Sequence, residues 1–210
     1  MHGFVLAGGK SSRMGRDKAL LPFRGRPMFE IALEKLRSFC AEVSIVGNRE
    51  DLTQFAPVVS GERAERGPAA GIEAGMRACQ QAWALFIPVD VPLVPASFLS
   101  LWVEEALRVR MSVSYLAAWR TQPAFCLLQR GRAETLSRLV AKGEGRLEQL
   151  LNLTAESDGY ASWAYDPYDL FGRPPHYSGP DEQVVERWFQ NVNTPAELAA
   201  AEALAEQREA

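Results

Sequence analysis

The chain has 210 residues, of which 47% are hydrophobic and 23% are charged, a composition that suits one globular domain and excludes a largely disordered chain. Its 23 basic and 26 acidic residues give a formal net charge of −3, so no excess of positive charge favours binding to nucleic acid or to a membrane surface. The three cysteines, Cys40, Cys79 and Cys126, form no CxxC pair, which argues against a disulfide scaffold or a zinc knuckle. We therefore expect a protein of the reducing cytoplasm.

Hydrophobic periodicity predicts strands that alternate with helices along the chain. The predicted strands are residues 3–7, 42–46, 57–59, 83–89, 112–119 and 124–129, the last two separated by polar residues 120–122. The predicted helices are residues 27–39, 69–82, 96–109, 131–141, 145–151 and 196–207. Thr194 is expected to cap the last helix, with Pro195 in its first position. Residues 154–190 are less regular, with one candidate strand at 184–189.

This alternation predicts a single α/β domain with three layers, α/β/α, around a mostly parallel, Rossmann-like sheet. One segment, residues 82–103, is apolar enough to resemble a membrane span. Its three prolines would break a lipid-exposed helix, so we interpret it as a buried strand, a loop and the next helix. Ligands of such sheets bind beyond the carboxyl ends of the strands, which makes the residues directly after each strand the candidates for a site.

The first predicted strand runs into a glycine-rich stretch with the sequence LAGGKSSRMGRDK at residues 6–18. Glycines let the backbone approach a ligand, and free N–H groups, hydroxyls and cations together make a cradle for an anion. The spacing matches neither the dinucleotide fingerprint GxGxxG nor the phosphate loop GxxxxGK[ST]. The alternative for such a stretch is a flexible turn with solvated charges.

Asp90 is the only charged residue in the apolar segment 82–103, at the predicted carboxyl end of a central strand. A buried carboxylate without a partner is costly, so this side chain needs one. Mg²⁺ is a suitable partner because it binds one or two carboxylates together with phosphate oxygens. The alternative is an aspartate that only caps the following turn.

The glycine-rich stretch fits the pattern LAGGxSxRMGxxK and resembles the signature of nucleotidyltransferases, in the form typical of the molybdenum cofactor guanylyltransferase (MobA) family. Three further segments carry the same resemblance in the same order along the chain. They are GPAAGI at residues 67–72, PVDVPLVP at residues 88–95 and NVNTPAEL at residues 191–198. The four segments all lie between residues 3 and 200 and are spread over most of the chain.

This resemblance implies an enzyme that transfers GMP from GTP to molybdopterin, releases pyrophosphate and uses Mg²⁺. It implies one nucleotidyltransferase domain over residues 1–210, in which residues 1–95 bind the nucleotide and residues 96–206 bind the acceptor. The implied partners are GTP and molybdopterin as substrates, with transient contacts to other proteins of molybdenum cofactor synthesis. Neither nucleic acid nor a membrane is implied.

The resemblance also assigns roles to residues of the nucleotide half. It places the backbone near Gly8 against the base and ribose, and it makes Arg13, Lys18 and Asp90 the catalytic residues that balance phosphate charge and hold the metal. The implied nucleotide-binding residues are Leu6, Ala7, Gly8, Gly9, Ser11, Arg13, Lys18 and Asp90, with Glu62 as a further candidate acid. Arg16 falls at a variable position and is expected to be solvated.

The implied acceptor-binding residues follow later strands of the sheet: Gly67, Pro68, Gly71, Gln122, Arg146, Asn191 and Asn193. Asn193 is also a second candidate metal ligand, because a polar residue near this point completes the metal site in related transferases. For the two asparagines the alternative is a turn-and-cap motif, and for the two glycines it is close packing. Gln122 stands where many family members have a histidine before proline, which weakens any expectation of a histidine at the acceptor site.

Other functions remain compatible with these residues. The same fold could use CTP on the molybdenum cofactor or transfer a nucleotide to a sugar or alditol phosphate, because recognition of the base by backbone groups leaves little trace in side chains. A nucleotide-binding module without activity is the third possibility, and the presence of both Lys18 and Asp90 argues against it.

Overall fold

A computed structural model of the chain describes residues 1–8, 17–61, 67–118, 120–143, 146–156, 162–173 and 175–206. The strands within these ranges are β1 (His2–Leu6), β2 (Pro22–Phe23), β3 (Arg26–Pro27), β4 (Glu42–Val46), β5 (Val58–Val59), β6 (Trp83–Pro88), β7 (Val113–Ala118), β8 (Arg120–Gln129) and β9 (Trp163–Tyr165). The α-helices are α1 (Met28–Arg37), α2 (Pro68–Ala78), α3 (Ala96–Arg108), α4 (Ala133–Lys142), α5 (Leu147–Glu156), α6 (Pro167–Phe171), α7 (Glu182–Trp188) and α8 (Pro195–Glu206).

Seven strands form one sheet in the order β5-β4-β1-β6-β8-β7-β9, and β2 and β3 form a separate small hairpin. Strand β1 pairs in parallel with β4 and β6, β4 pairs in parallel with β5, and β7 pairs in parallel with β9. Only the pairings of β8 with β6 and β7 are antiparallel among the described strands of this sheet. The mostly parallel sheet predicted from the sequence is therefore confirmed.

The central strand β6 contributes alternate side chains to two separate cores. Leu85 and Ile87 belong to a core that also contains side chains of α1, α3, α7 and α8. Ala84 and Phe86 belong to a second core with side chains of α2, α4 and α5. Because both faces of β6 are covered by helices, its sequence is apolar on successive residues rather than on every second one. Each core lies between the sheet and one layer of helices, as expected for the predicted α/β/α arrangement.

The apolar segment 82–103 divides into β6, a turn and the start of α3, as expected. None of the helices in the described parts of the chain combines the length and the apolar character needed to cross a membrane.

Two predicted elements of the second half are wrong. Residues 184–189 lie mainly in α7 rather than in a strand, because the carboxylate of Asp181 accepts a hydrogen bond from the N–H of Gln183 at the start of the helix. Val185 and Trp188, three residues apart, are the buried residues of this helix, which is a helical spacing. The polar residues 120–122 do not separate two strands, since they belong to β8 and pair with the end of β7 across a register shift.

Other boundaries and elements also differ from the prediction, since α5 extends to Glu156 rather than to residue 151 and the hairpin of β2 and β3 was not predicted. Helix α2 ends at Ala78, before the expected residue 82, since Cys79 has an extended backbone. Strand β9 and helix α6 arise in the stretch in which the sequence shows little periodicity.

Candidate active site

A cleft of about 320 Å³ opens at the carboxyl ends of β1 and β6. These ends lie side by side, because Leu6 pairs with Pro88 in the parallel ladder. Eight of the residues predicted from the sequence line the cleft: Leu6, Ala7, Gly8, Lys18, Pro68, Asp90, Gln122 and Asn191. The edge of the sheet thus brings together residues from both halves of the chain, as the strand-end rule for parallel sheets requires.

Lys18 and Asp90, which line this cleft, contact each other, and Asn193 contacts Lys18. The Nζ atom of Lys18 lies 3.5 Å from Oδ2 of Asp90 and donates a hydrogen bond to Oδ1 of Asn193. The side chains of Lys18 and Asp90 are 25% and 24% exposed, so both are largely withdrawn from water yet open to a ligand. The partner that a buried carboxylate needs is therefore supplied in part by Lys18.

The segment that carries Asn193 is fixed at three points. The N–H of Val192 donates to the carbonyl oxygen of Asp90 over 2.8 Å, and the N–H of Asn193 donates to Oε2 of Glu197 over 2.6 Å. Thr194 caps α8 as predicted, because its Oγ1 accepts from the N–H of Glu197. The capping residues of α8 thereby hold the Asn193 amide against Lys18.

Lys18 begins a short 3-10 turn that extends to Leu20, and Asp17 caps this turn through a 3.0 Å hydrogen bond from the N–H of Ala19 to Oδ1. Arg49, in the loop after β4, lies with Nη1 2.9 Å from Oδ2 of Asp17. It also donates to both carboxylate oxygens of Asp51, at 3.0 and 2.7 Å, and these hydrogen bonds lower the pKa of Asp51. Sequence reasoning missed Arg49, although its place after a predicted strand end was a signal that could have found it.

The backbone of residues 6–8 is held from both sides. The N–H of Ala7 donates to the carbonyl of Val46 over 3.0 Å, and the N–H of Val89 donates to the carbonyl of Leu6 over 3.2 Å. Gly47 has φ of 142° and lies so close to Gly8 that a Cβ there would be 3.0 Å from the Gly8 nitrogen. Glycine at this position lets the loop after β4 pass directly beneath the predicted nucleotide-binding backbone.

The two glycines before and within α2 have different surroundings. Gly67, with φ of 85°, precedes α2 at a point where a Cβ would meet no atom of the described residues within 4 Å apart from its chain neighbours. A Cβ on Gly71 would lie 3.3 Å from Cγ1 of Val46 and 3.5 Å from Cδ2 of Leu6. Gly71 therefore packs helix α2 closely against the sheet below the cleft, which favours the packing alternative for this residue.

Some predicted site residues are not brought to the cleft by the described structure. Gly9, Ser11, Arg13 and Glu62 lie outside the described residues, as does Arg16. Arg146 is exposed just before α5, where its carbonyl accepts from the N–H of Leu150, and it is not part of the cleft lining formed by the described residues.

The loop after Asp90 is held by a lysine that no sequence pattern singles out. Nζ of Lys35, on α1, donates to the carbonyl oxygen of Pro92 over 2.5 Å. Burial lowers the pKa of Lys35 to about 7 from its ordinary value of 10.5, because a desolvated ammonium is disfavoured relative to the neutral amine.

The lowered pKa of Lys35 predicts a pH dependence of stability. Between pH 7 and pH 10.5 the unfolded chain binds the Lys35 proton more strongly than the folded protein, so the free energy of unfolding rises with pH in this window. Between pH 7 and pH 9 the gain is about 2 kcal/mol, and it is lost again as the pH falls from 9 to 7. Denaturant unfolding of the wild type and of Lys35→Met at both pH values should show this gain in the wild type alone. Parallel behaviour of the two proteins would contradict it.

The glycine-rich sequence after β1, the pair of Lys18 and Asp90 at the cleft and the helices on both faces of the sheet fit a nucleotidyltransferase of the α/β class. Residues 3–159 match the family model described as MobA-like NTP transferase domain. The chain belongs to this family.

Curated relatives resemble the chain over nearly its full length. It is 33% identical to the molybdenum cofactor guanylyltransferase of Acidovorax sp. (strain JS42), covering 96% of this chain and 95% of that protein. It is 30% identical to the molybdenum cofactor guanylyltransferase of Polynucleobacter asymbioticus, with the same shares covered.

Among solved structures, the chain resembles molybdopterin-guanine dinucleotide biosynthesis protein A from Archaeoglobus fulgidus, with a TM-score of 0.76 and 21% identity over 99% of this chain and 100% of that one. It also resembles 2-C-methyl-D-erythritol 4-phosphate cytidylyltransferase from Thermus thermophilus, with a TM-score of 0.63 and 19% identity over 97% and 98% of the two chains. The TM-scores show that these proteins share the fold of this chain, and at sequence identities this low the likeness shows the fold alone.

Proposed function

We propose that the protein transfers GMP from GTP to the terminal phosphate of molybdopterin and releases pyrophosphate. The observation that carries the proposal is the contact of Lys18, at the cleft, with both Asp90 and Asn193, which come from distant parts of the chain. Membership of the family and the names of relatives about 30% identical over nearly the whole chain support the choice of nucleotide and acceptor.

In this reaction an oxygen of the molybdopterin phosphate attacks the α-phosphorus of GTP. A new bond forms between that oxygen and the α-phosphorus, and the bond from the α-phosphorus to the bridging oxygen of the departing pyrophosphate breaks. Side chains do little covalent work in such a transfer, so the site must neutralise the triphosphate and align the two substrates. Lys18, with its ammonium at the cleft, is placed to balance the charge of the phosphates.

The donor atoms at the cleft fit Mg²⁺. Asp90 supplies a carboxylate and Asn193 an amide oxygen, both hard oxygen ligands, and they lie near enough to each other for one ammonium to contact both. Within the described residues no three His, Cys, Asp or Glu side chains are grouped to hold a metal ion. Mg²⁺ is usually bound by one or two carboxylates and takes its other ligands from phosphate and water. When bound, the ion would neutralise charge on the phosphates.

Residues 1–95 are proposed to bind the nucleotide and residues 96–206 the acceptor. Strands β1, β6 and β8 are consecutive in the sheet, so the cleft crosses from the backbone of Leu6 and Gly8 to Gln122 and Asn191. The acceptor would enter from the side of β8. The proposal includes a cytoplasmic location, supported by three free cysteines, and transient contacts with other proteins of molybdenum cofactor synthesis.

Nucleotide-dependent thermal stabilisation tests the proposed base. GTP with Mg²⁺ is expected to raise the melting temperature more than CTP, ATP or UTP at the same concentration, because the nucleotide with the lowest dissociation constant stabilises the folded protein most. A ligand at a hundredfold excess over its dissociation constant adds about 2.7 kcal/mol to the free energy of unfolding. Pyrophosphate release on addition of molybdopterin then separates an enzyme from a binding module. A shift with CTP equal to or larger than that with GTP would favour the cytidylyltransferase alternative.

A further inference from the structure

A buried arginine joins two strand-end loops beside the cleft. Arg49 follows β4, its side chain is 8% exposed, and its guanidinium contacts both Asp17 and Asp51. Asp51 is its neighbour in sequence, whereas Asp17 is 32 residues away and directly precedes Lys18. The contact with Asp17 therefore connects the loop after β4 to the turn that presents Lys18.

The contact with Asp51 uses two of the three guanidinium nitrogens of Arg49 as hydrogen-bond donors. Nε and Nη2 donate to the two oxygens of Asp51 in a fork, which is the preferred geometry of an arginine–carboxylate pair. The remaining terminal nitrogen, Nη1, lies 2.9 and 3.2 Å from the two oxygens of Asp17. One planar group thus fixes the position of Asp17 relative to a loop that is itself held by Gly47 against the strand end.

Asp17 passes this restraint on to Lys18. Its Oδ1 accepts from the N–H of Ala19 and so sets the start of the turn from Lys18 to Leu20. A lysine side chain has high rotamer entropy, and fixing its backbone reduces the volume in which the ammonium moves.

We propose that Arg49 is a positioning residue for nucleotidyl transfer, which acts through Asp17 to aim the Lys18 ammonium at the cleft. This inference rests on the proposed function, because it assumes that Lys18 meets the triphosphate there. It assigns a role to a residue that the motifs of the sequence do not include. Arg49 itself is not part of the cleft lining formed by the described residues.

A double-mutant cycle tests this role. We expect Arg49→Met to lower kcat for pyrophosphate release about tenfold, the size of a lost charge-assisted hydrogen bond, with a smaller change in the KM for GTP. In a Lys18→Ala background the same substitution should change kcat less than about twofold, because residues that act through one group are not additive. Equal losses in both backgrounds would overturn the proposal, since they would mean that Arg49 does not act through Lys18.

Two further variants separate positioning from folding. Asp51→Asn leaves the contact between Arg49 and Asp17 in place and is expected to keep kcat within about twofold of the wild type. Asp17→Asn can still accept a hydrogen bond from the N–H of Ala19 but loses the negative charge that pairs with Arg49. It should lower kcat nearly as much as is expected for Arg49→Met, and it keeps the proposal testable if Arg49→Met does not fold. A full rate in Asp17→Asn, or a loss in Asp51→Asn as large as that in Asp17→Asn, would contradict the proposal.

The affinity of the same variants for GTP, measured by thermal shift, tests the positioning role independently of turnover. Weaker GTP binding in Asp17→Asn and Lys18→Ala, with no further loss in their combination, would support the positioning role. If this pattern held but the wild type released no pyrophosphate with molybdopterin, the proposed function would fail while the role of Arg49 stood.

Discussion

Replacement of Asp90 by asparagine is expected to remove most nucleotidyl transfer while the protein stays folded. The carboxylate lies at the mouth of the cleft, near Lys18 and the amide of Asn193, where it is proposed to hold Mg²⁺ against the phosphates. An amide keeps the shape of the side chain but loses the negative charge that a hard cation requires. We expect a loss of about a hundredfold or more in kcat, as for other groups that stabilise charge in a transition state.

Steady-state pyrophosphate release at saturating Mg²⁺, with thermal unfolding in parallel, measures this effect. The unfolding free energy should change by no more than about 1 kcal/mol, since the pair with Lys18 is long and partly exposed. Glu134→Gln, which alters an exposed carboxylate on α4, is the matched control and should leave kcat unchanged. An unchanged rate in Asp90→Asn would remove Asp90 from the metal site.

Replacement of Lys18 by alanine is expected to weaken both GTP binding and turnover by tenfold or more each, because a charge-assisted hydrogen bond contributes roughly 1.5–3 kcal/mol. Lys18→Arg should restore only part of the activity, since a planar guanidinium and a compact ammonium reach a phosphate differently. Titration of GTP followed by thermal shift gives the binding, and pyrophosphate release gives the rate.

Lys142→Ala provides the comparison for Lys18, because Lys142 is an exposed lysine in the last turn of α4. It should bind GTP and turn over at the wild-type level. If Lys18→Ala behaved like Lys142→Ala, the ammonium at the cleft would have no part in binding the triphosphate.

The sequence predicted the sheet from local patterns of apolar residues, whereas most residues that line the cleft were named by the resemblance to a family. A strand covered on both faces is apolar throughout, as in β6, and residues that follow such strands must meet at one edge. Lys18 and Asp90 were accessible to this reasoning, and so was Asn193 once the resemblance to a family was seen.

The residues that support the cleft could not be predicted in the same way. Arg49 meets Asp17 and Lys35 meets the carbonyl of Pro92 across 32 and 57 residues, and neither pair forms a pattern in one sequence. The error at α7 has a different cause, since a short apolar run fits strand and helix alike until the capping by Asp181 decides between them. The polar residues at the start of β8 were interpreted as a break between strands. They belong to the strand, because the end of an antiparallel strand near solvent does not need apolar residues.

The hydrogen bond between Lys18 and Asn193 joins residues 175 positions apart, and this distance sets an order of events during synthesis. A ribosome makes the chain from its amino terminus, at roughly 5–20 residues per second, so Lys18 and Asp90 exist for several seconds before Asn193 is added. Throughout that interval a nascent chain has the first two members of the site but lacks the segment that Val192 anchors to Asp90. Under the proposed function, the capacity to hold a nucleotide productively is therefore acquired only once this segment has been made, and stalled or shortened chains that stop before it carry the glycine-rich sequence without Asn193.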